Sequence, residues 1–492
     1  MEQINLCDYP WIPIAGDRQR RSLFQLFSES SIRRLAGNAV DKIVVLRFLL
    51  CIVHAAIEIP DDDAWQALTN EKIASAALQY LRDHHDCFEM YGEHPFLQFP
   101  QLKELGGSED PFGGLMVNVA DGNKVVLTEW SQFRELSQAE RIMLLLRSAC
   151  YACGGKKYDK NICLSKGVVK KATGRGGTLL GFAGYLHSYL VGDTLLDTLH
   201  LNLLTQKDVE ALNAFPNGMG RPFWEVMPQG EQDATSDNYR ATYQGELFPI
   251  DKFLLFTEKG VVKTDGIAYP SYKDGLVDPA LTVFSSGKDL KTLWTKTDTR
   301  PWRDLPAVLA FLESQDRRSP FFVSMGMNKL NESRATQATV WTGGMEVSSN
   351  SGEQYLSGKN DYVEAEFTMP LHFLDDNRFR RYKEMMQDVD DCAKRVYACV
   401  SNYYKKLAQD GAGIAASAKT AFLERMESRA QGIIDLAFSD CDEEAIREEK
   451  GKWFGLLCQV FDEFCPHTTP RQMTGWVETS PSFQKQSKKE GK

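Results

Sequence analysis

The chain has 492 residues, of which 43% are hydrophobic, and it carries a formal net charge of -10. This length is too great for one ordinary core and predicts two or more globular domains. The acidic sum excludes a chain that is basic throughout, although it leaves room for local basic patches.

The eleven cysteines follow no disulfide-like framework. The opening residues MEQINLCDYPW lack the basic start and apolar run of a signal peptide. We therefore expect a cytoplasmic protein with reduced thiols.

The first 150 residues are predicted to be mainly helical. Pro10 and Pro13 keep residues 1–15 extended, which favours a short edge strand. Residues 40–59 predict a buried helix, and the longest apolar stretch within them, 44–59, is interrupted by Arg47 and His54 and is too short to span a bilayer. Further helices are predicted over 61–86 and from Ser137, which has capping-box spacing to Glu140. The segment 177–205 is interpreted as helix or mixed structure.

Residues 240–370 are rich in β-branched and aromatic runs separated by turn residues, a pattern that favours antiparallel strands. The predicted strand runs are QGELFPIDKFLLF, GIAYPSY, ALTVFSS, SPFFVSM, QATVWTGG and DYVEAEFTMP.

The C-terminal part is predicted to be a helical bundle. Apolar residues recur at three- and four-residue steps from Met385 to Leu407, and two further helices are predicted around 422–436 and 446–460. Short connections between them favour antiparallel packing. The fold class is therefore α+β, with a mixed domain over residues 1–370 and a C-terminal antiparallel four-helix bundle over 371–492.

Common enzyme signatures are absent from the sequence. It contains no phosphate-binding Gly-x-x-x-x-Gly-Lys-Ser/Thr, no Gly-x-Gly-x-x-Gly after a strand, no Gly-x-Ser-x-Gly and no His-Glu-x-x-His. We predict no catalytic residue, no cofactor and no metal site.

Three weaker patterns have more ordinary explanations. Cys150 and Cys153 form a C-x-x-C with only Cys163 nearby, whereas a zinc site needs about four ligands. His84-His85-Asp86 is interpreted as an exposed helix end. The acidic group Asp61, Asp62 and Asp63 is interpreted as helix capping. The acidic group Asp388, Asp390 and Asp391 is interpreted as part of a regular helix, where the three carboxylates do not converge on one point.

Residues 156–177 form a basic, glycine-rich loop inside an acidic chain. It holds seven basic residues against one acidic residue, Asp159, a local excess of six. Such a loop suits the phosphates of a nucleic acid, and the alternative is a solvated loop without a ligand. The basic residues are Lys156, Lys157, Lys160, Lys166, Lys170, Lys171 and Arg175.

A glutamine, Gln337, stands where a polar turn leads into the predicted strand QATVWTGG. Composition alone makes it an exposed loop residue. Its position beside a turn also allows contact with a ligand.

Several motifs in a fixed order resemble one family, across nearly the whole chain. The motifs are DYPWIPI at 8–14, EHPFLQ at 93–98, Val117-Asn118, RGGT at 175–178, DTLLDTLHLNLLT at 193–205 and QATVW at 337–341. With these motifs in this order, the chain resembles the CasA family, the large subunit of the type I-E CRISPR surveillance complex Cascade.

The resemblance implies a non-enzymatic subunit that binds nucleic acids. Such a subunit lies beside the 5′ handle of the guide CRISPR RNA and contacts other Cascade protein subunits. It recognises the protospacer-adjacent motif (PAM) in double-stranded target DNA, helps to open the duplex, and recruits a helicase-nuclease.

The resemblance also assigns roles to particular residues. Gln337 is the expected wedge between the DNA strands, with Thr336 and Arg334 as candidate groove and phosphate contacts. The PAM-contacting lysine falls on Lys259, with Lys263 as the alternative. The remaining assignments are a glycine loop at Lys166, Gly167 and Val168 and a guide-handle contact at Met116, Val117 and Asn118.

The chain departs from the family at two of these places. Its glycine loop has fewer glycines than is usual, and Met116 replaces an aromatic that stacks near the guide handle in some members. The four-cysteine cluster of some members has no counterpart before Lys259, so no zinc is expected there.

Two other functions compete with this reading. One is a metal-dependent nucleic-acid enzyme that uses Cys150 and Cys153 or the acidic groups. The other is a helical scaffold that binds other proteins without PAM-specific DNA binding.

Overall fold

The computed structural model describes most of the chain. The described residues are 3–106, 109–115, 135–150, 164, 184–267, 269, 278–286, 289–297, 300–312, 317–318, 320–330, 335–346, 348–350, 353–355 and 362–481.

The fold is mixed α+β, as predicted, with small antiparallel sheets and a helical C-terminal part. The described α-helices are α1 (Leu23–Ser28), α2 (Ala39–Ala56), α3 (Asp62–Gln66), α4 (Asn70–Asp83), α5 (Gln101–Glu104), α6 (Gln138–Cys150), α7 (Leu195–Leu201), α8 (Gln206–Ala211), α9 (Ala234–Tyr239), α10 (Tyr243–Leu247), α11 (Leu305–Val308), α12 (Phe321–Lys329), α13 (Asp376–Lys406), α14 (Ala412–Glu427), α15 (Ala430–Ala437), α16 (Glu443–Phe464) and α17 (Pro470–Thr479).

The described strands form four small sheets of two or three strands each. The strands are β1 (Asp110–Pro111), β2 (His187–Val191), β3 (Lys252–Phe256), β4 (Gly260–Asp265), β5 (Val283–Ser286), β6 (Asp289–Thr292), β7 (Arg317–Arg318), β8 (Gln337–Met345), β9 (Ser348–Asn350), β10 (Glu353–Tyr355) and β11 (Tyr362–Pro370). Their orders are β1-β4-β3, β6-β5-β7, β11-β8-β2 and β10-β9.

The chain divides into two compact units. One contains residues 1–297 and 307–366, and the other contains residues 298–306 and 367–492. No helix in the described part of the chain is both long enough and apolar enough to cross a membrane.

The first unit is organised around α2. Fourteen of its eighteen residues are buried, which confirms the buried helix predicted over 40–59. Asn38 caps its N-terminus through a bond from the Asp41 amide, 2.9 Å long.

A charged residue lies in the middle of this apolar helix. Arg47 is fully buried, and its guanidinium pairs with the buried carboxylate of Asp278. A second nitrogen, Nη1, donates to the carbonyl of Leu247 at 3.2 Å. The pair therefore ties α2 to the end of α10 and to the turn that precedes β5.

Several predicted elements have different structures. The predicted N-terminal edge strand is present only as isolated bridges at Asn5, Ile12 and Ile14. The run SPFFVSM is not a strand but the start of α12, which begins after Pro320 and buries one face. The run QGELFPIDKFLLF is a strand only from Lys252, because its first part belongs to α10.

The helical unit alternates in direction along the chain. Contacts between Lys450 and Asp388 (2.5 Å) and between the Tyr404 hydroxyl and the Phe464 carbonyl (3.0 Å) place α16 alongside α13. The predicted second helix is broken at 428–429 into α14 and α15, and α17 was not predicted. If α14 and α15 are counted as one interrupted helix, then α13, α14–α15, α16 and α17 correspond to the four helices of the predicted bundle.

The buried ion pair generates a stability prediction. We expect Asp278→Ala to lower the free energy of unfolding of the first unit by about 3–5 kcal/mol, because it leaves the Arg47 charge buried without its partner. The double variant Arg47→Met/Asp278→Leu should recover most of this loss, since both charges are then gone. Urea unfolding followed by tryptophan fluorescence measures both, and equal stabilities of the single and double variants would contradict the prediction.

Candidate nucleic-acid interface

Gln337 is the first residue of β8, the central strand of the sheet β11-β8-β2. The last residue pair between β2 and β8 joins Val191 to Thr339. Gln337 therefore lies two residues beyond that pairing, and it is exposed whereas Ala338 is buried. Its amide is presented to solvent from a strand whose remaining residues are fixed in the core.

The segment before Gln337 starts from an equally fixed point. Lys329, the last residue of α12, is only 7% exposed, and its ammonium pairs with Asp208 and lies 3.8 Å from Asp62. The Gln66 amide donates to the Lys329 carbonyl at 2.6 Å. The chain before this segment is thus held by a partly buried ion pair at Lys329, and the chain after it is held by the sheet that contains β8.

Sequence reasoning missed Lys329. Its acidic partners lie 121 and 267 positions away in sequence, so no local pattern indicates the contact. Thr336 is described and exposed next to Gln337. Arg334 lies outside the described residues.

Lys259 lies at the tip of the β3-β4 hairpin. The two turn residues are Glu258 and Lys259, and the Thr257 amide donates to the Gly260 carbonyl at 2.9 Å. The Thr257 hydroxyl accepts from the amides of Lys259 and Gly260 at 3.3 and 3.0 Å. These bonds fix the turn and leave the Lys259 side chain exposed.

Lys263, the alternative lysine, has a different environment. Its side chain is 9% exposed, and its ammonium lies 3.4 Å from the Asp110 carboxylate. Lys259 is therefore the better placed of the two for contact with a phosphate or a base edge.

The Lys259 hairpin lies beside the segment that leads to the predicted guide-handle contact. β1 pairs with β4, and the residues after β1 form a 3₁₀ turn at Phe112–Leu115. Phe112 packs 5.2 Å from Phe256, and Arg141 stacks over Phe112 at 4.7 Å while its Nη2 donates to the Glu258 carbonyl at 3.2 Å. Met116, Val117 and Asn118 follow directly and lie outside the described residues.

The basic loop is largely outside the described residues, which include only Leu164 from residues 151–183. Leu164 is half-buried against the core of the first unit. All seven basic residues, together with Gly167 and Val168, lie in the part that is not described.

The cysteine pair has one described member. Cys150 ends α6 fully buried, and its thiol donates to the Leu146 carbonyl at 3.1 Å. Burial raises the pKa of this thiol well above its usual value, which disfavours the thiolate that a metal requires. Cys153 and Cys163 are not among the described residues.

The first acidic group and the histidine pair have structural partners. Asp61 caps α3 by accepting from the Ala64 amide at 3.0 Å. His85 Nε2 lies 2.8 Å from the Asp8 carboxylate, and His84 stacks on Tyr80 with ring centroids 4.2 Å apart.

The second acidic group spreads over the surface of α13. Its three members pair with different cations: Asp388 with Lys450, Asp390 with Arg303 and Asp391 with Lys394. Within the described residues, no three His, Cys, Asp or Glu side chains come together as a possible metal site.

Comparison with protein families identifies one match, and comparison with curated proteins identifies none. The family model for CRISPR-associated protein Cse1 matches residues 5–457. No functionally curated protein matches the sequence.

Solved structures share the fold at low sequence identity. Thermobifida fusca Cse1 is 17% identical with a TM-score of 0.72, covering 97% of this chain and 95% of its own. Thermus thermophilus CasA (Cse1) is 17% identical with a TM-score of 0.71, covering 97% and 98%. A chain of a CRISPR RNA-guided surveillance complex is 15% identical with a TM-score of 0.67, covering 97% and 98%.

A buried histidine beside Lys329 generates a pH prediction. Burial, reinforced by the Lys329 charge, lowers the pKa of His54 from 6.5 to about 3, and its ring packs edge-on against Tyr243. Below pH 6.5 the unfolded chain binds a proton that the folded chain excludes, so stability falls as the pH decreases. We expect His54 to account for about 2 kcal/mol of lost stability between pH 6.5 and 5.

The test compares urea unfolding at pH 7 and pH 5 in two variants. His54→Gln should reduce the loss of stability on acidification, whereas exposed His94→Gln should leave it unchanged. An undiminished loss in His54→Gln would contradict the assignment.

Proposed function

The chain belongs to the CRISPR-associated Cse1 (CasA) family, and from this premise we propose that it is the large, non-catalytic subunit of a type I-E CRISPR RNA-guided surveillance complex. Its membership confirms the family predicted from the order of the sequence motifs. The shared fold with a chain of a surveillance complex supports the assignment. Its partners would be the other protein subunits and the guide CRISPR RNA.

Within that complex, the proposed task is to recognise the PAM in double-stranded DNA and to wedge the duplex open. The observation that carries this proposal is the exposed Gln337 at the end of a buried strand. An uncharged amide can hydrogen-bond to bases released from pairing without being held by phosphate. Inserting a side chain at a base step costs a few kcal/mol of unstacking, which DNA binding and then RNA pairing offset.

A wedge must also resist displacement by the DNA. The buried ends of the Gln337 segment, β8 on one side and the Lys329–Asp208 pair on the other, meet this requirement. The segment is short and both ends belong to regular elements. Its position can therefore be maintained while bases are forced apart.

The remaining roles are divided between the hairpin and the loops. Lys259 would contact the PAM duplex, where the minor groove offers a degenerate code and tolerates several sequences. The loop around Gly167 would follow the DNA backbone, and Met116, Val117 and Asn118 would contact the guide handle.

We assign these nucleic-acid contacts to a domain over residues 1–370. The helical domain over 371–492 would take part in the protein contacts of the complex. Recruitment of the helicase-nuclease is the last step of the proposed sequence.

The wedge is tested by Gln337→Ala in the assembled complex. We expect guide-RNA binding to be unchanged and opening of a PAM-bearing duplex to slow by about tenfold, which corresponds to about 1.4 kcal/mol in the barrier. Opening is followed by fluorescence of an unstacked base analogue next to the PAM. The control is Gln19→Ala, which removes an exposed glutamine elsewhere in the same unit. If the Gln337→Ala complex opened the duplex at the wild-type rate, the wedge assignment would be refuted.

The basic loop is tested by salt dependence. The triple variant Lys166→Glu, Lys170→Glu, Lys171→Glu should weaken DNA binding and flatten the slope of log K against log salt by up to about 2.7, since each phosphate contact contributes about 0.9.

Its control is a triple charge reversal at Lys72, Lys103 and Lys291, which are exposed outside the loop. The control changes the net charge by the same amount, so a specific loop contact requires the two slopes to differ. Equal slopes in the two triple variants would refute the basic-loop assignment.

A further inference from the structure

A small cavity of about 150 Å³ lies against the sheet that carries Gln337. Its floor is mainly apolar and is buried. Tyr189 and Trp341 are paired directly across β2 and β8, and their rings stack with centroids 4.6 Å apart and planes 24° apart. The rest of the floor consists of the buried polar residue Thr198 and four aliphatic residues: Leu35, Leu46, Val191 and Leu195. We call this space the Trp341 cavity.

The rim of the Trp341 cavity is charged and exposed. Arg34 Nη1 donates to the Gly192 carbonyl at 2.7 Å and its Nε lies 3.4 Å from Glu366. Lys42 Nζ lies 2.6 Å from Glu364, whose other oxygen accepts from Trp341 Nε1 at 3.0 Å. Arg33 is exposed on the same rim.

Arg33 leaves the rim with an unbalanced positive charge. Among the described residues, it makes no side-chain ion pair or hydrogen bond, whereas Arg34 and Lys42 each face a glutamate. The rim therefore offers a free guanidinium to an anionic group, and Arg is well suited to bind phosphate through two donors.

The volume of the cavity favours a ligand with a single six-membered ring. An enclosed apolar cavity of about 150 Å³ accommodates a benzene molecule, so the volume of this cavity, which is open at its charged rim, matches a six-membered ring better than a fused two-ring purine. An aromatic ring pair in the floor favours a planar ligand. The Glu366 carboxylate at the rim can accept a hydrogen bond from an exocyclic amine, as carboxylates do from cytosine N4.

We propose that the Trp341 cavity binds a single pyrimidine nucleotide, with cytosine preferred and the phosphate held by Arg33. The source of this base rests on the proposed function: it would be an unpaired base from the duplex that Gln337 opens. Trp341 is four residues from Gln337 on the same strand, a separation of about 13 Å. The cavity is thus placed to hold a released base and to oppose reclosure of the duplex.

Binding is tested on the full chain with free nucleotides, which separates the site from duplex opening. Saturation-transfer NMR and calorimetry with CMP, UMP and AMP should give CMP the tightest binding, by at least about tenfold over AMP. Arg33→Glu should weaken CMP binding by about tenfold. The matched control Arg82→Glu, on an exposed arginine of α4 in the same unit, should not.

Two further variants test the interior and the specificity. Leu195→Phe fills the cavity and should abolish CMP binding. Glu366→Gln, at an exposed rim position, should reduce the preference for CMP over UMP without abolishing binding. This second variant keeps the test valid if Leu195→Phe does not fold.

Each outcome decides the proposal. No binding of CMP, equal binding of AMP, or an unchanged CMP affinity in Arg33→Glu would overturn it. If CMP binds as expected while Gln337→Ala opens DNA normally, the cavity site stands and the wedge function fails. If CMP does not bind while Gln337→Ala is defective, the reverse holds.

Discussion

The buried charge of Arg47 is the constraint on which the first unit depends. A guanidinium in the middle of an apolar helix is stable only where its partners reach it inside the core. Those partners come from distant parts of the chain, the Leu247 carbonyl and the Asp278 carboxylate. Helix α2 therefore cannot shift or rotate without breaking the contacts that join it to α10 and to the turn before β5.

Helix α2 in turn packs against the sheet that contains Gln337. The helices α2, α7 and α12 pack against the sheet of β2, β8 and β11. In α12, Gly326 approaches the Leu190 side chain and the Leu201 carbonyl so closely that a Cβ would lie 2.4 and 2.6 Å from them. Only glycine permits this approach. The close packing of α12 on β2 and the ion pair between Lys329 and Asp208 together position the last residue of α12, from which the chain continues to Gln337.

The sequence was sufficient where a local pattern and the tertiary environment agree. Helix α2 could be predicted because almost every face is apolar, and β8 could be predicted because a β-branched and aromatic run follows a polar turn. The run SPFFVSM could not be assigned correctly from its first residues, since Phe-Phe-Val favours a strand. Its helix becomes visible only when Gly326 and Met327 are included, which complete a buried face with Phe322 and Val323.

The candidate site shows the same limit. Gln337 could be picked from the sequence as a residue beside a turn, whereas Lys259 came from the resemblance to the family, and both are exposed in the structure. The resemblance to the family favours Lys259 over Lys263, but the physical reason for that preference could not be found from the sequence, since it depends on Asp110, about 150 positions away. Lys329 and the rim of the Trp341 cavity likewise depend on distant partners, 121 positions away for Lys329–Asp208 and 332 for Arg34–Glu366. Such contacts between buried or half-buried charges leave no spacing pattern.

The charges of the proposed contact residues indicate which of them would supply the free energy of DNA binding and which would act in opening the duplex. Four of the described cations on the proposed contact surfaces are already paired: Lys263 with Asp110, Lys329 with Asp208, Lys42 with Glu364 and Arg34 with Glu366. Lys259 and Arg33 make no side-chain ion pair among the described residues. Under the proposed function, two such cations would contribute little non-specific DNA affinity. The basic residues between 156 and 175, whose local excess of positive charge contrasts with the net charge of -10, would supply most of it. Attraction to DNA and opening of DNA would then be carried by different residues, so that a duplex without the correct PAM would be bound weakly and released before its strands are separated.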